Sequence, residues 1–364
     1  MLTIGLVGLP MVGKTTIFNL LTGAGARTSG FLTGRADTNV GIARVPDARL
    51  DLLARLYSPR RAVSAQIQVS DVPGLVRGAA KSAAGVGNQF LAGIRNVDLL
   101  AHVLRAFENP EVPHVDGSLH PLRDFATVQI ELLLADIDLI EKRIERIKSG
   151  KKISKEAARE LPVLEKCLTA LENEVPLQQA DLTGEERTVL AGYSFFTEKP
   201  LLLVVNTDEN QFREKSYPDK AELAELASAR GLPLIEICGR LEMEISMLSP
   251  GERELFLEDL GIKEPGTARL ARAAYAQLGL ISFFTIGSDE VKAWTIRRGT
   301  GAKSAAGKVH SDMERGFIRA EVVKFADLDA LGTMAKVKEK GLVRLEGKDY
   351  LVEDGDIINF RFNV

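Results

Sequence analysis

A chain of 364 residues exceeds one ordinary domain, so two or three are expected. Hydrophobic residues make up 45% and mean hydropathy is zero, yet no apolar run reaches membrane-spanning length, so no membrane contact is expected. The net charge of −3 argues against a generally basic nucleic-acid binder and confines any RNA contact to local patches.

The first 23 residues carry the chemistry. Leu2 to Val7 is an apolar run that predicts a buried parallel strand, and the apolar positions Ile17, Phe18, Leu20 and Leu21 predict a helix ending at Gly23. Between them stands Gly8-Leu-Pro-Met-Val-Gly13-Lys14-Thr15, a G-x-x-x-x-G-K-[ST] loop in the strand–loop–helix order that phosphate binding requires. Gly8 and Gly13 allow the backbone to turn its N–H groups toward a polyphosphate, with Pro10, Met11 and Val12 completing the loop and Thr16 following it. Lys14 brings a positive charge to the β- and γ-phosphates, and the Thr15 hydroxyl is a ligand for Mg²⁺. The opening strand leaves no room for a signal peptide, and Cys167 and Cys238 lack metal-ligand spacing, so reduced thiols and a cytoplasmic location are expected.

Residues 24–40 are polar and glycine-rich, where a nucleotide switch should sit. A strand near 41–45, a helix near 47–57 and a strand at 65–70 follow. The last ends in Asp71-Val-Pro-Gly74, a D-x-x-G pattern in which Asp71 serves the metal through water and the Gly74 N–H meets the γ-phosphate. Residues 76–88 are rich in Ala and Gly. Beyond a strand at 98–105, the proline-bounded loop 106–121 holds His114 on the side where phosphates should sit.

The periodicity then changes. Ile130, Ile137 and Ile144, with Leu133, Ile140 and Ile147, repeat at seven, and so do Leu161, Leu168 and Val175. This predicts two helices paired as an antiparallel coiled-coil hairpin. Its turn is basic, with Lys142, Arg143, Arg146, Lys148, Lys151, Lys152, Lys155 and Arg159 against Glu145 and Glu156, as a polyanionic partner would require. The sheet resumes with Leu201–Val205, and Asn206-Thr-Asp-Glu209 stands at the strand end where an α/β sheet reads a ligand's base. A last strand at 233–238 and helical segments near 249–258 and 266–278 close the domain. From about 281 the chain is β-rich, with a helix through 305–312, as in a small mixed β-grasp module.

Together GLPMVGKTT, DVPGLVRGAA, the inserted hairpin, NTDE, and the tail ISFFTIG, VKAWTIRRGT, HSDMERGFIRAEV and LEGKDYLVEDGDIINFRFNV carry a resemblance. The chain resembles the YchF proteins, Obg-related P-loop NTPases, from end to end. The resemblance implies an α/β fold, a mostly parallel P-loop sheet with flanking helices over 1–121 and 196–280. It also implies a coiled-coil insertion over 122–195 and a C-terminal β-grasp TGS domain over 281–364. ATPase activity and association with the ribosome follow from it, through rRNA or ribosomal proteins.

Three positions matter beside the family pattern, two of them departures from it. Met11 replaces an asparagine whose oxygen can hold a monovalent cation, and a thioether is a poor ligand for K⁺. Arg35 aligns with a switch threonine that can bind Mg²⁺, which leaves Thr33 or Thr38 as substitutes. Leu75, which agrees with the family, stands where many GTPases carry a water-positioning glutamine.

The reading from sequence is a Mg²⁺-dependent switch that hydrolyses ATP in preference to GTP. Lys14, Gly74 and His114 serve the chemistry, Thr15 and Asp71 hold the metal, and Asn206 and Glu209 face the base. The alternatives are an Obg-type GTPase and a ribosome- or RNA-binding adaptor whose nucleotide is scarcely hydrolysed.

Overall fold

The structure is a computed structural model that describes residues 2–26, 38–75, 86–150 and 153–363. Thr33 and Arg35, the Ala/Gly-rich residues 76–85, and Lys151 and Lys152 of the hairpin turn lie outside the described residues.

The described residues form the strands β1 (Thr3–Val7), β2 (Asn39–Arg44), β3 (Arg61–Val63), β4 (Gln66–Asp71), β5 (Leu99–Arg105), β6 (Leu201–Asn206), β7 (Leu234–Ile237), β8 (Leu280–Ile286), β9 (Glu290–Arg297), β10 (Phe317–Lys324), β11 (Arg344–Glu346) and β12 (Asp356–Phe362). The helices up to residue 247 are α1 (Lys14–Thr22), α2 (Ala48–Tyr57), α3 (Val86–Arg95), α4 (Pro121–Lys148), α5 (Lys155–Glu172), α6 (Gly184–Leu190), α7 (Glu209–Glu214), α8 (Lys220–Ala229) and α9 (Gly239–Met247).

One sheet has the order β2-β4-β1-β5-β6-β7, with β1 parallel to β4 and β5, and β6 parallel to β5 and β7. The sequences LLAHVLR and LLLVVN are buried throughout, as central parallel strands covered on both faces must be. The P-loop, Asp71, Arg105 and Asn206 all fall at the carboxyl ends of these strands, the edge where open α/β sheets hold ligands.

The hairpin is present as α4 and α5, but its seam is shorter than the heptads suggest. Ile140, Ile144 and Ile147 pack with Val163, Leu164, Cys167 and Leu171. Ile130, by contrast, is 52% exposed, and Val175 lies past the end of α5. The cause is unequal length, 28 residues against 18, so the first turns of α4 extend past α5. They bury Phe125, Val128 and Leu132 instead, and Phe125 stacks on His102 of β5 at 5.6 Å. Where the chain returns to the sheet, Asp136 of α4 accepts bonds from Phe196 N, Thr197 N and the Thr197 hydroxyl at 2.7–2.9 Å. Burial pushes its carboxyl up to about 6, despite those three donors.

The chain separates into two compact units, residues 1–41 with 68–270 and residues 42–67 with 271–364. This differs from the three-part division read from the sequence. The hairpin belongs to the first unit, and residues 42–67 to the second. The reason is β3, a short strand without sequence signature that pairs in parallel with β9. It completes a mixed sheet of order β11-β10-β12-β8-β9-β3. Within this unit Arg49 bridges Asp47 and Asp354 at 2.8 Å each, fastening α2 to the turn before β12. A helix at Ala302–Val309 buries Ala302, Ala305 and Ala306 against Phe283, Ile296 and Phe360, the β-grasp arrangement. No helix among the described residues is long and apolar enough to cross a membrane.

Candidate nucleotide site

The P-loop joins β1 to α1 directly. Gly13 caps α1 in the left-handed region at φ 93°, and a side chain there would collide with the Asn206 amide. Met11 also lies in the left-handed region, at φ 63°. A methionine is strained there, whereas the asparagine of the family pattern is among the residues that tolerate it.

Lys14 is 7% exposed, and its ammonium donates to the carbonyls of Leu9 and Gly8 at 2.8 and 3.2 Å. Burial lowers it to about 8, while the charge of Asp71 acts in the opposite direction. The Thr15 hydroxyl donates to Asp71 at 2.7 Å, and Asn39 reaches the same oxygen at 3.4 Å. A hydroxyl and a carboxylate facing each other beside a buried ammonium are hard oxygen donors of the kind that suits Mg²⁺, so these residues fit the metal. The D-x-x-G turn is seated on the P-loop. Leu75 N donates to Gly8 O at 3.0 Å, and a Cβ on Gly74 would stand 2.7 Å from Pro10 N. The Leu75 side chain is 1% exposed and packs as core.

Asn206 serves as a brace. Its amide donates to Val12 O at 3.0 Å and accepts from Gly239 N at 3.1 Å. It therefore ties the P-loop to the turn between β7 and α9, and a second amide N–H and a second lone pair remain beyond these two bonds. A Cβ on Gly239 would stand 3.5 Å from the Thr16 methyl. Thr207 is 4% exposed and its hydroxyl turns to Ile237 O. Asp208 caps α7, accepting from Gln211 N at 2.9 Å within a capping box. Glu209 opens that helix and pairs with Arg240 at 3.5 Å.

His114 is reached from β5 through a loop that Arg105 holds, its guanidinium donating to Phe107 O, Val112 O and Pro113 O. The His114 side chain is 5% exposed. Nε2 meets Asp124 at 2.8 Å, and Nδ1 accepts from Asp116 N at 3.1 Å, so the ring as placed offers no nitrogen to a water.

A family profile described as 50S ribosome-binding GTPase matches residues 3–135. A second, for the C-terminal domain of YchF GTPases and described as a protein of unknown function (DUF933), matches residues 280–363. The ribosome-binding ATPase YchF of Bacillus subtilis (strain 168) is 44% identical over the full length of both chains. That of Escherichia coli O157:H7 is 43% identical over 99% of each. The solved YchF GTPase of Schizosaccharomyces pombe is similar at a TM-score of 0.85 and 30% identity, covering 99% of this chain and 97% of that one. The chain belongs to the YchF family. Its relatives bear both ATPase and GTPase in their names, so the names leave the nucleotide open.

The family motifs do not point to His102, Arg105 or Asp124. His102 is fully buried with both ring nitrogens unpartnered, and burial, helped by the Lys14 charge, pushes it down to about 3. It is a neutral ring beneath Phe125. A histidine and an arginine within the apolar run LLAHVLR were the available signal for the first two.

If Lys14 meets the phosphates, as the sequence reading expects, its lowered value makes phosphate binding depend on pH. A bound triphosphate keeps the ammonium protonated, whereas the free chain releases that proton above about pH 8. Nucleotide affinity should be constant below that pH and fall about tenfold by about pH 9, with one proton taken up on binding. Titration calorimetry in buffers of different ionisation heat checks this, and a pH-independent affinity across that interval would contradict it.

Proposed function

We propose that this protein is an ATP-hydrolysing, Mg²⁺-dependent switch that associates with the ribosome. Lys14 and the backbone amides of the P-loop bind the phosphates. Thr15 and Asp71 hold Mg²⁺, which when bound offsets charge on the transferred phosphoryl group. Gly74 N–H meets the γ-phosphate, with the turn kept in reach by the Leu75–Gly8 bond. Leu75 has no polar atom on its side chain and is buried, so it cannot orient the attacking water. His114 takes that role. His114→Ala should bind ATP normally and lose most of its phosphate release, and full activity in that variant would remove His114 from the mechanism.

The preference for ATP rests on one observation: the base loop has no free carboxylate. Guanine needs an acceptor for its N1 proton and 2-amino group. Asp208 is committed to capping α7, and Glu209 is compensated by Arg240. A guanine edge left without its charged partner loses about 1.5–3 kcal/mol, a ten- to hundredfold affinity. Adenine carries neither donor. Side-by-side titration of ATP and GTP into nucleotide-free protein should favour ATP by at least about tenfold, and equal binding would refute the preference.

Ribosome association is proposed from the names of the relatives and from charge. Three of the basic hairpin residues are internally neutralised, Lys142 by Asp138, Arg143 by Glu160 and Lys148 by Glu165. Arg146, Lys155 and Arg159 are exposed and have no ion pair among the described residues. Arg297, Arg298 and Lys303 form a second exposed basic group on the C-terminal unit. Changing Lys148, Lys151, Lys152 and Lys155 to Glu should reduce co-sedimentation with ribosomes and flatten its salt dependence, with nucleotide affinity unchanged. Undiminished pelleting would move the contact to the second group.

A further inference from the structure

We propose that Asp124 is a latch that holds His114 out of the reaction, and that α4, the long arm of the hairpin, carries that latch. The proposal rests on the reading of His114 as the group that orients water.

The tautomer follows from the bonds. Because Nδ1 accepts the Asp116 N–H, a neutral ring carries its proton on Nε2 and donates it to Asp124. Neither a lone pair nor an N–H remains for a water. To act, His114 must break one of the two bonds. The Asp116 bond lies within the same loop and moves with the ring. The Asp124 bond is the one anchored elsewhere. Its carboxylate is 1% exposed and is gripped from the other side by Arg123, whose Nε and NH2 donate at 3.1 and 2.9 Å. The loop itself is braced by Arg105 through Val112 O and Pro113 O, and Arg123 also donates to Ser118 farther along it.

Asp124 sits in the first turn of α4, and Arg146 and Lys148 sit in its last. The sequence PLRDFATVQIELLLADIDLIEKRIERIK has no glycine, and its one proline is at the first position, where it does not interrupt the helix. A continuous helix transmits a displacement along its axis or about it. A shift of ~1 Å at Asp124 takes a 2.8 Å bond past useful length. The charged hairpin end and the ring that orients water are thereby joined by one rigid element. Engagement of the hairpin end is then able to alter turnover without touching the nucleotide.

The opposite assignment is that Asp124 orients His114 for its work. The two differ in sign. Asparagine at this position keeps the shape and loses the charge-assisted bond. With the full chain at saturating ATP, Asp124→Asn should raise phosphate release about tenfold at unchanged ATP affinity, and His114→Ala/Asp124→Asn should be as slow as His114→Ala. Slower or unchanged release in Asp124→Asn, with His114→Ala still impaired, overturns the latch and leaves the role of His114 standing. A fully active His114→Ala overturns both.

Should Asp124→Asn not fold, the unaltered protein decides. Deuterium exchange at the His114 ring carbon should be slow in the chain with Mg²⁺ and a non-hydrolysable ATP analogue and about tenfold faster when ribosomes engage the hairpin end. Equal rates would overturn the latch.

Discussion

The site depends on a buried ammonium group. Lys14 stands at the first position of α1 with two backbone carbonyls and the nearby charge of Asp71 to compensate it. An ammonium in that setting is held below its ordinary range by lost hydration, and a polyanion is the kind of ligand that would restore the charge. The surroundings follow from this. Asp71 must end β4 on the same edge as the P-loop, and Thr15 and Asn39 converge on it. His102, one strand away and fully buried, is kept neutral partly by the same charge. The D-x-x-G turn can lie on Pro10 because Gly74 carries no Cβ.

The legible parts of the molecule were those whose signal is local. The P-loop, the D-x-x-G turn and the buried strands each need particular residue types at fixed spacing, and all were found where the sequence put them. The heptads announced two paired helices but overstated their seam, because Ile130 repeats correctly on a part of α4 that α5 does not reach. What escaped was long-range. Nothing within residues 61–63 reveals that this strand joins β9, more than 220 residues later, and that pairing moves residues 42–67 into the second unit. Periodicity cannot report such a contact, since it records which face is apolar and not what covers it.

The same distinction holds inside the site. Asn206 looked like a base reader because it ends a strand at the ligand edge. It is also a brace, one amide N–H and the carbonyl oxygen being matched to backbone groups of Val12 and Gly239, at positions 12 and 239 of the chain. Buried amides are satisfied before they are free to recognise anything, and the partners of this one lie too far away in sequence to be inferred. His114 shows the reverse. Its loop was found correctly, but its availability depended on Asp124 and Asp116, whose significance appears only once α4 is in place.

The mixture of ATPase and GTPase among the names of the relatives has a physical counterpart in the base loop. Asn206-Thr-Asp-Glu209 has the length and position of a guanine-reading tetrad and two carboxylates to offer. Each carboxylate is already employed, one by the N-terminus of a helix and the other by an arginine. These uses are unequal. The cap at Asp208 satisfies backbone donors that would otherwise be unpaired, so releasing it costs α7 its first turn. The Glu209–Arg240 pair is long, and the arginine side chain is 81% exposed. Such a pair is weak and rearranges readily. Whatever discrimination the loop exerts against guanine is therefore firm at Asp208 and soft at Glu209, and nucleotide choice can shift within one fold by changing the weaker of two contacts.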